Sequence, residues 1–344
     1  MSTLKIGALF AGYGGLDMAV MDVLDAELAW YAEFDKAPAK VMAHHHPDVP
    51  NLWDVTKVDW SAVEPVDIIT GGSPCQDLSH AGKRKGMKAG TRSGLWASMF
   101  DAIDIIRPRL VVWENVRGAL NAEATSEMEQ CPGCLGGGGD GAVLRALGRV
   151  LGDLADIGYD ARWYGLRAAD VGGAHGRFRV FVMAAPADSA GSGRTALGHE
   201  RIEPSRAGQA DATSPRRRDA DAGIRLLPTP QADTSTTVQH GKPALQAIAI
   251  EHARDWRQYE PAIRRAERAT GRPAPDPIED GPRGPRLSAA FSEWLMMLPA
   301  GHVTDPSIGI TYKGQLKACG NGVVPPQAAA ALRAYLRDER EAVA

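Results

Sequence analysis

An α/β fold, a mostly parallel doubly wound sheet with an antiparallel edge hairpin, is predicted by three observations. Short apolar runs rich in β-branched residues, such as Asp67 to Thr70 and Leu110 to Trp113, alternate with stretches whose apolar residues recur at helical spacing. These runs stop at glycine, proline or acidic residues, as buried parallel strands do where the chain turns. Two late runs, Arg162 to Leu166 and Arg179 to Met183, lie close enough to pair as a hairpin closing the sheet.

The 344 residues suffice for one large domain and a smaller one. No apolar run reaches the ~18 residues that cross a bilayer, and Met1 to Lys5 lacks the basic and apolar regions of a signal peptide. A soluble, cytoplasmic monomer without a membrane partner is therefore expected. Four cysteines in so long a chain are no disulfide framework. The net charge of -3 gives no global basic field, but cations cluster at Lys83 to Lys85, Arg216 to Arg218 and Arg264 to Arg272. Such patches hold phosphates or form a solvated face.

In chain order, Leu4 to Phe10 reads as the first strand, and Ala11 to Leu16 as a glycine turn opening a helix over Asp17 to Leu24. Glycines there let a ligand approach backbone amides at a helix start. The pattern lacks the third glycine of the dinucleotide fingerprint. Leu28 to Ala32 is the second strand, ending at Glu33, Phe34 and Asp35; a carboxylate about twenty residues after a glycine turn suits ribose hydroxyls. A helix follows over Ala37 to His44. His44, His45 and His46 do not share one helical face, so a helix-end cap or solvated cluster is expected and no metal site. Asn51 to Val55, carrying Asp54, reads as the end of a third short strand.

The run Asp67 to Thr70 leads through Gly71, Gly72, Ser73 and Pro74 to Cys75, just past a strand's carboxyl end, the edge where open α/β sheets bind ligands. Alone, such a cysteine reads more readily as core filler than as a reactive group, and its neighbours shift that balance. A partly exposed thiol held there is placed to be a nucleophile. The glycine-rich, cationic stretch Asp77 to Ser93 reads as a loop able to close over a polyanion.

A helix over Leu95 to Ile106 and a strand over Leu110 to Trp113 deliver Glu114 to the same edge as Cys75. Cys131 and Cys134 have half the spacing of a zinc knuckle, but only Cys75 and Cys319 remain to complete it, so no metal is expected. A helix over Leu144 to Ile157 precedes the edge hairpin, whose connection carries His175, Arg177 and Arg179; the two arginines alternate by two and, if extended, share a face. From 186 to 285 Pro, Gly, Ser, Asp and Arg dominate, with a helix from about Ala244 to Thr270. Regular packing resumes with helices over Leu287 to Leu298 and Ala328 to Arg337.

The order of these blocks resembles the DNA cytosine-5 methyltransferases. Phe10 to Gly15 resembles their first cofactor motif, Pro74 to Gln76 their nucleophile motif, Glu114 to Val116 their acid motif, His175 to Arg179 their arginine motif and Gly320 to Val323 their last motif. His175 stands where that family usually has glutamine. The resemblance implies a Rossmann-like methyltransferase fold at 1–185 and 286–344, with a variable target-recognition domain at 186–285.

It also implies S-adenosylmethionine as cofactor and double-stranded DNA as substrate, with a cognate restriction endonuclease as a possible companion. Cys75 is then the nucleophile, Glu114 the acid, and Arg177 and Arg179 the fixed positive charge. The cofactor falls to Phe10, Gly12, Tyr13, Gly15, Glu33, Phe34, Asp54, Val55, Pro74, Leu95, Asn321 and Val323. A tRNA cytosine-5 methyltransferase shares the motifs but usually lacks the long variable segment. A catalytically dead DNA-binding relative would lack the reactive set, and a nicotinamide oxidoreductase would need the missing glycine.

Overall fold

The computed structural model describes residues 3–72, 95–116, 123–124, 144–187 and 256–343. Strands β1 (Leu4–Leu9), β2 (Ala26–Ala32), β3 (Ile68–Gly71) and β4 (Leu110–Val116) are mutually parallel. A two-residue pair follows, β5 (Glu123–Ala124) with β6 (Leu144–Arg145). Strands β7 (Tyr159–Arg167) and β8 (Phe178–Pro186) form the antiparallel hairpin, and β8 also runs antiparallel to β4, so the six-stranded order is β2-β1-β3-β4-β8-β7. The predicted fold class holds.

Residue alternation explains why helices cover both faces. Val111 and Trp113 of β4 join Val180 and Val182 of β8 in one core with α3 (Leu95–Ile106) and α4 (Ala146–Asp156). Leu110 and Val112 join Phe181 and Met183 in the opposite core, under α1 (Gly15–Leu24) and the closing helix α8 (Pro325–Val343). With apolar residues needed on both sides, the inner parallel strands β3 and β4 carry no polar side chain before Thr70 and Glu114 near their carboxyl ends.

The remaining helices are α2 (Lys36–His45), α5 (Glu260–Thr270), α6 (Ala289–Leu295) and α7 (Tyr312–Asn321). Ile263 and Ala266 of α5 pack on Phe291 and Trp294 of α6, with Trp256 and Phe291 stacked at 5.6 Å. A third core gathers Val41 of α2, Leu298, Val303, Ala318 and Cys319 around the buried Tyr13.

Several expectations need correction. No third strand forms at Asn51 to Val55: one parallel bridge joins Tyr31 to Asn51, and Asp54 then accepts the backbone N–H of Thr56, so the chain turns into a 3-10 helix instead of extending. The helix expected over Leu287 to Leu298 is shortened at both ends. Leu287 closes β10 (Gly284–Leu287), paired with β9 (Ile278–Gly281), Ser288 caps the helix, and Met297 adopts a φ of 58° beyond its end. The β9–β10 hairpin and α7 had no sequence expectation. Of the helix expected over Ala244 to Thr270, 244–255 lie outside the described residues, and α5 starts at Glu260 after a 3-10 turn at Arg257–Tyr259.

Candidate active site

The carboxyl ends of the parallel strands and the α7–α8 turn enclose a cleft. Phe10 and Gly12 line it after β1, Gly15 and Asp17 from α1, Gly72 after β3, Glu114 from β4, and Asn321 and Val323 from the α7–α8 turn. Residues more than 300 positions apart thus share one wall.

The glycine turn is shaped by close approach. Gly14 caps α1 at a φ of 85°, in the left-handed region open to glycine. A Cβ on Gly15 would lie 2.3 Å from the Val323 carbonyl oxygen, so any side chain there would separate the two walls. Tyr13 is 1 % exposed, and its hydroxyl donates to the Val323 carbonyl at 2.7 Å. His302 holds the other side of this turn, its Nε2 2.8 Å from the Tyr13 carbonyl.

Glu33, at the end of β2, is nine-tenths buried. Its Oε2 accepts the Gly12 N–H at 2.8 Å and its Oε1 the Asp35 N–H at 2.7 Å. Burial pushes its carboxyl above the usual range, against the pull of those amides. Asn51 exchanges two backbone bonds with Glu33, both at 3.1 Å, fixing the strand end. Phe34 stands beside it, 70 % exposed. Asp54 accepts from the Thr56 N–H and hydroxyl and pairs with Lys57 at 3.1 Å, and these hydrogen bonds hold its carboxyl below the usual range. Val55 is buried in the core and Leu95 half-buried at the start of α3.

The arginine strand reaches the same cleft. Glu114 and Arg179 occupy the same sheet face, and Arg179 Nε lies 2.7 Å from Glu114 Oε1. Burial pushes the Glu114 carboxyl up, while Arg179 and then Arg177 pull it down. Arg179 also donates from Nη1 to the Phe178 carbonyl.

Arg177 forks onto the carbonyls of Gly320 and Gly322, both at 2.7 Å, tying the hairpin to the cleft's far wall. His175 accepts the Arg177 N–H on Nδ1 at 3.4 Å, which leaves the proton on Nε2 to donate to the Leu295 carbonyl at 2.9 Å. Burial lowers its pKa, in keeping with a neutral ring. The imidazole thus orients the arginine segment by two hydrogen bonds.

Pro74, Cys75, Cys131 and Cys134 lie outside the described residues. Among the described residues no group of three or more His, Cys, Asp or Glu could hold a metal ion, and no helix is long and apolar enough to cross a membrane.

Sequence reasoning passed over Asp17, Thr70, Glu293 and His302. Glu293 accepts the N–H groups of Gly301, Val303 and Thr304 at 2.7 to 2.9 Å and so shapes the turn that presents His302. The one advance signal was Asp17, an acidic residue inside an otherwise apolar helix start.

A family model described as C-5 cytosine-specific DNA methylase matches residues 4–267. The chain is 36 % identical over 124 residues to the orphan methyltransferase M.Rho11sI of Bacillus phage rho11s, covering 35 % of this chain and 24 % of that protein. It is 25 % identical over 187 residues to the type II methyltransferase M.NgoBV of Neisseria gonorrhoeae, covering 53 % and 41 %. The chain thus spans well under half the length of these curated relatives. Its fold resembles that of a Spodoptera frugiperda DNMT2 mutant over 97 % of this chain and 99 % of that one, with a TM-score of 0.52 at 15 % identity.

Proposed function

Because the chain belongs to the C-5 cytosine-specific DNA methylase family, we propose that it transfers a methyl group from S-adenosylmethionine to C5 of a cytosine turned out of duplex DNA. The observation that carries this reading is the buried Glu114–Arg179 pair, 2.7 Å apart, at the mouth of a cleft whose opposite wall is the glycine turn.

C5 of cytosine is a poor nucleophile. The Cys75 thiolate adds to C6, forming a carbon–sulfur bond and making C5 enamine-like. Glu114 supplies the proton that N3 takes as the adduct forms; its burial favours the protonated form this step needs. Arg179 offers positive charge to the cytosine O2 from the position its Glu114 partner holds. Arg177, committed to Gly320 and Gly322, positions the hairpin. After methyl transfer to C5, water or hydroxide removes the C5 proton and Cys75 leaves by elimination. The target base must leave the stack, which costs a few kcal/mol.

The described residues fit the cofactor. Each Glu33 oxygen accepts one backbone N–H and keeps a lone pair for a ribose hydroxyl, Phe34 offers an exposed ring to an adenine, and Asp54 can accept from its amine. Gly12, Gly15, Asn321 and Val323 leave room for the rest. Pro74 and Leu95 complete the pocket in this reading. When bound, S-adenosylmethionine supplies an electrophilic methyl on a sulfonium centre. The segment 186–285 reads the DNA sequence, with Arg216 to Arg218 holding phosphates. Such modification suits restriction-modification or protection of phage DNA.

Bisulfite sequencing of plasmid from cells expressing the protein tests this. One cytosine context becomes protected, and Cys75→Ser abolishes protection while S-adenosylhomocysteine still binds. Methylation by Cys75→Ser at the normal rate would remove the thiol addition step.

A further inference from the structure

Asp17 sits in the first turn of α1 on the wall of the cleft, 1 % exposed. Its Oδ1 accepts the Thr70 hydroxyl from β3, while its buried Oδ2 has no hydrogen-bond partner among the described residues. Burial pushes this carboxyl up to about 6. Two other buried carboxyls, Glu33 and Glu114, differ in kind: Glu33 is met by two backbone amides and Glu114 by Arg179.

A buried acceptor left unmade is costly, and a carboxylate beside a helix amino terminus is favoured in its charged form. The Asp17 oxygen therefore suits a ligand that brings both positive charge and N–H donors into the cleft. Within S-adenosylmethionine two centres are cationic. The sulfonium has no hydrogen to donate, whereas the α-ammonium has three.

We propose that Asp17 is the subsite for the α-ammonium of the cofactor's amino-acid end, with Thr70 fixing the carboxylate so that Oδ2 faces the ligand. This rests on the cofactor reading above and assigns it one further contact.

The test is calorimetric binding without DNA, using three probes on wild type and Asp17→Asn. S-adenosylhomocysteine carries the ammonium, its deamino analogue keeps the carboxylate without it, and 5′-methylthioadenosine lacks the amino-acid end. Wild type should prefer S-adenosylhomocysteine over the deamino analogue by about tenfold or more, the scale of a charge-assisted hydrogen bond. In Asp17→Asn that preference should vanish while 5′-methylthioadenosine binds as before.

An unchanged preference in the variant overturns the assignment. Loss of 5′-methylthioadenosine binding as well overturns it too, by making Asp17 a strut of the fold. Failure of wild type to bind any of the three sinks the cofactor reading itself, a result distinct from the others.

Discussion

Glu33 and Glu114 are both buried carboxyls at the carboxyl ends of parallel strands, yet the fold compensates them by opposite means. Glu33 is met by backbone N–H groups of Gly12 and Asp35, which are fixed once β1, β2 and α2 are in place. Glu114 is met by the side chain of Arg179, delivered by an antiparallel strand whose Arg179 lies opposite Val116 in the register. The difference teaches which half of the cleft is rigid by construction. Backbone compensation survives side-chain substitution, whereas an arginine can be removed and leaves its partner buried alone.

The largest effect should come from breaking the second arrangement. Arg179→Leu leaves Glu114 without its nearest cation, so unfolding free energy in urea should fall by about 3–5 kcal/mol, the cost of orphaning one partner of a buried pair. The double variant Arg179→Leu, Glu114→Gln should recover most of that loss. If the single variant is as stable as wild type, Arg179 does not compensate Glu114.

A smaller effect comes from Asp17, matched by neither device on Oδ2. Its folded pKa of about 6 lies above the ordinary 3.8, so its contribution to stability is full below pH ~4 and is lost as pH rises through about 6. Relative to Asp17→Asn, wild type should lose roughly 3 kcal/mol across that window. Parallel pH profiles for the two proteins in chemical denaturation would contradict the raised pKa.

Glu33→Gln tests the backbone arrangement more gently. The amide oxygen can keep one of the two backbone bonds, so the fold should hold, with S-adenosylhomocysteine binding weakened about tenfold. Thermal unfolding shifted as far as in Arg179→Leu would erase the contrast between the two carboxyls. Smallest of all, Asp54→Asn should change that affinity by only a few-fold, since the half-buried carboxylate is already engaged by Thr56 and Lys57; isothermal titration reads it.

The order and type of the principal strands and helices were legible because apolar periodicity is a local property, and Leu95–Ile106 was read to its observed ends. Asn51 to Val55 was misread because its apolar content looks extended, whereas the Asp54 side chain captures its own backbone two residues on. The hairpin at 278–287 was missed because its strands are short, polar and interrupted by Pro282 and Pro285.

Sequence alone determined that Glu114 would lie at the carboxyl edge of the sheet and that Arg177 and Arg179, two residues apart, would share a face, because apolar runs and strand alternation are local patterns. Tertiary structure alone decided how they divide the work. Arg177 turns to Gly320 and Gly322, 143 and 145 residues away, Arg179 takes Glu114, and Asp17 meets Thr70 across 53 residues. Contacts at such separation depend on how β-strands stack and where α7 ends, and no local pattern encodes them. A propensity acts over one turn or one strand; the partner of a buried charge is chosen by whatever the packed chain brings within 3 Å.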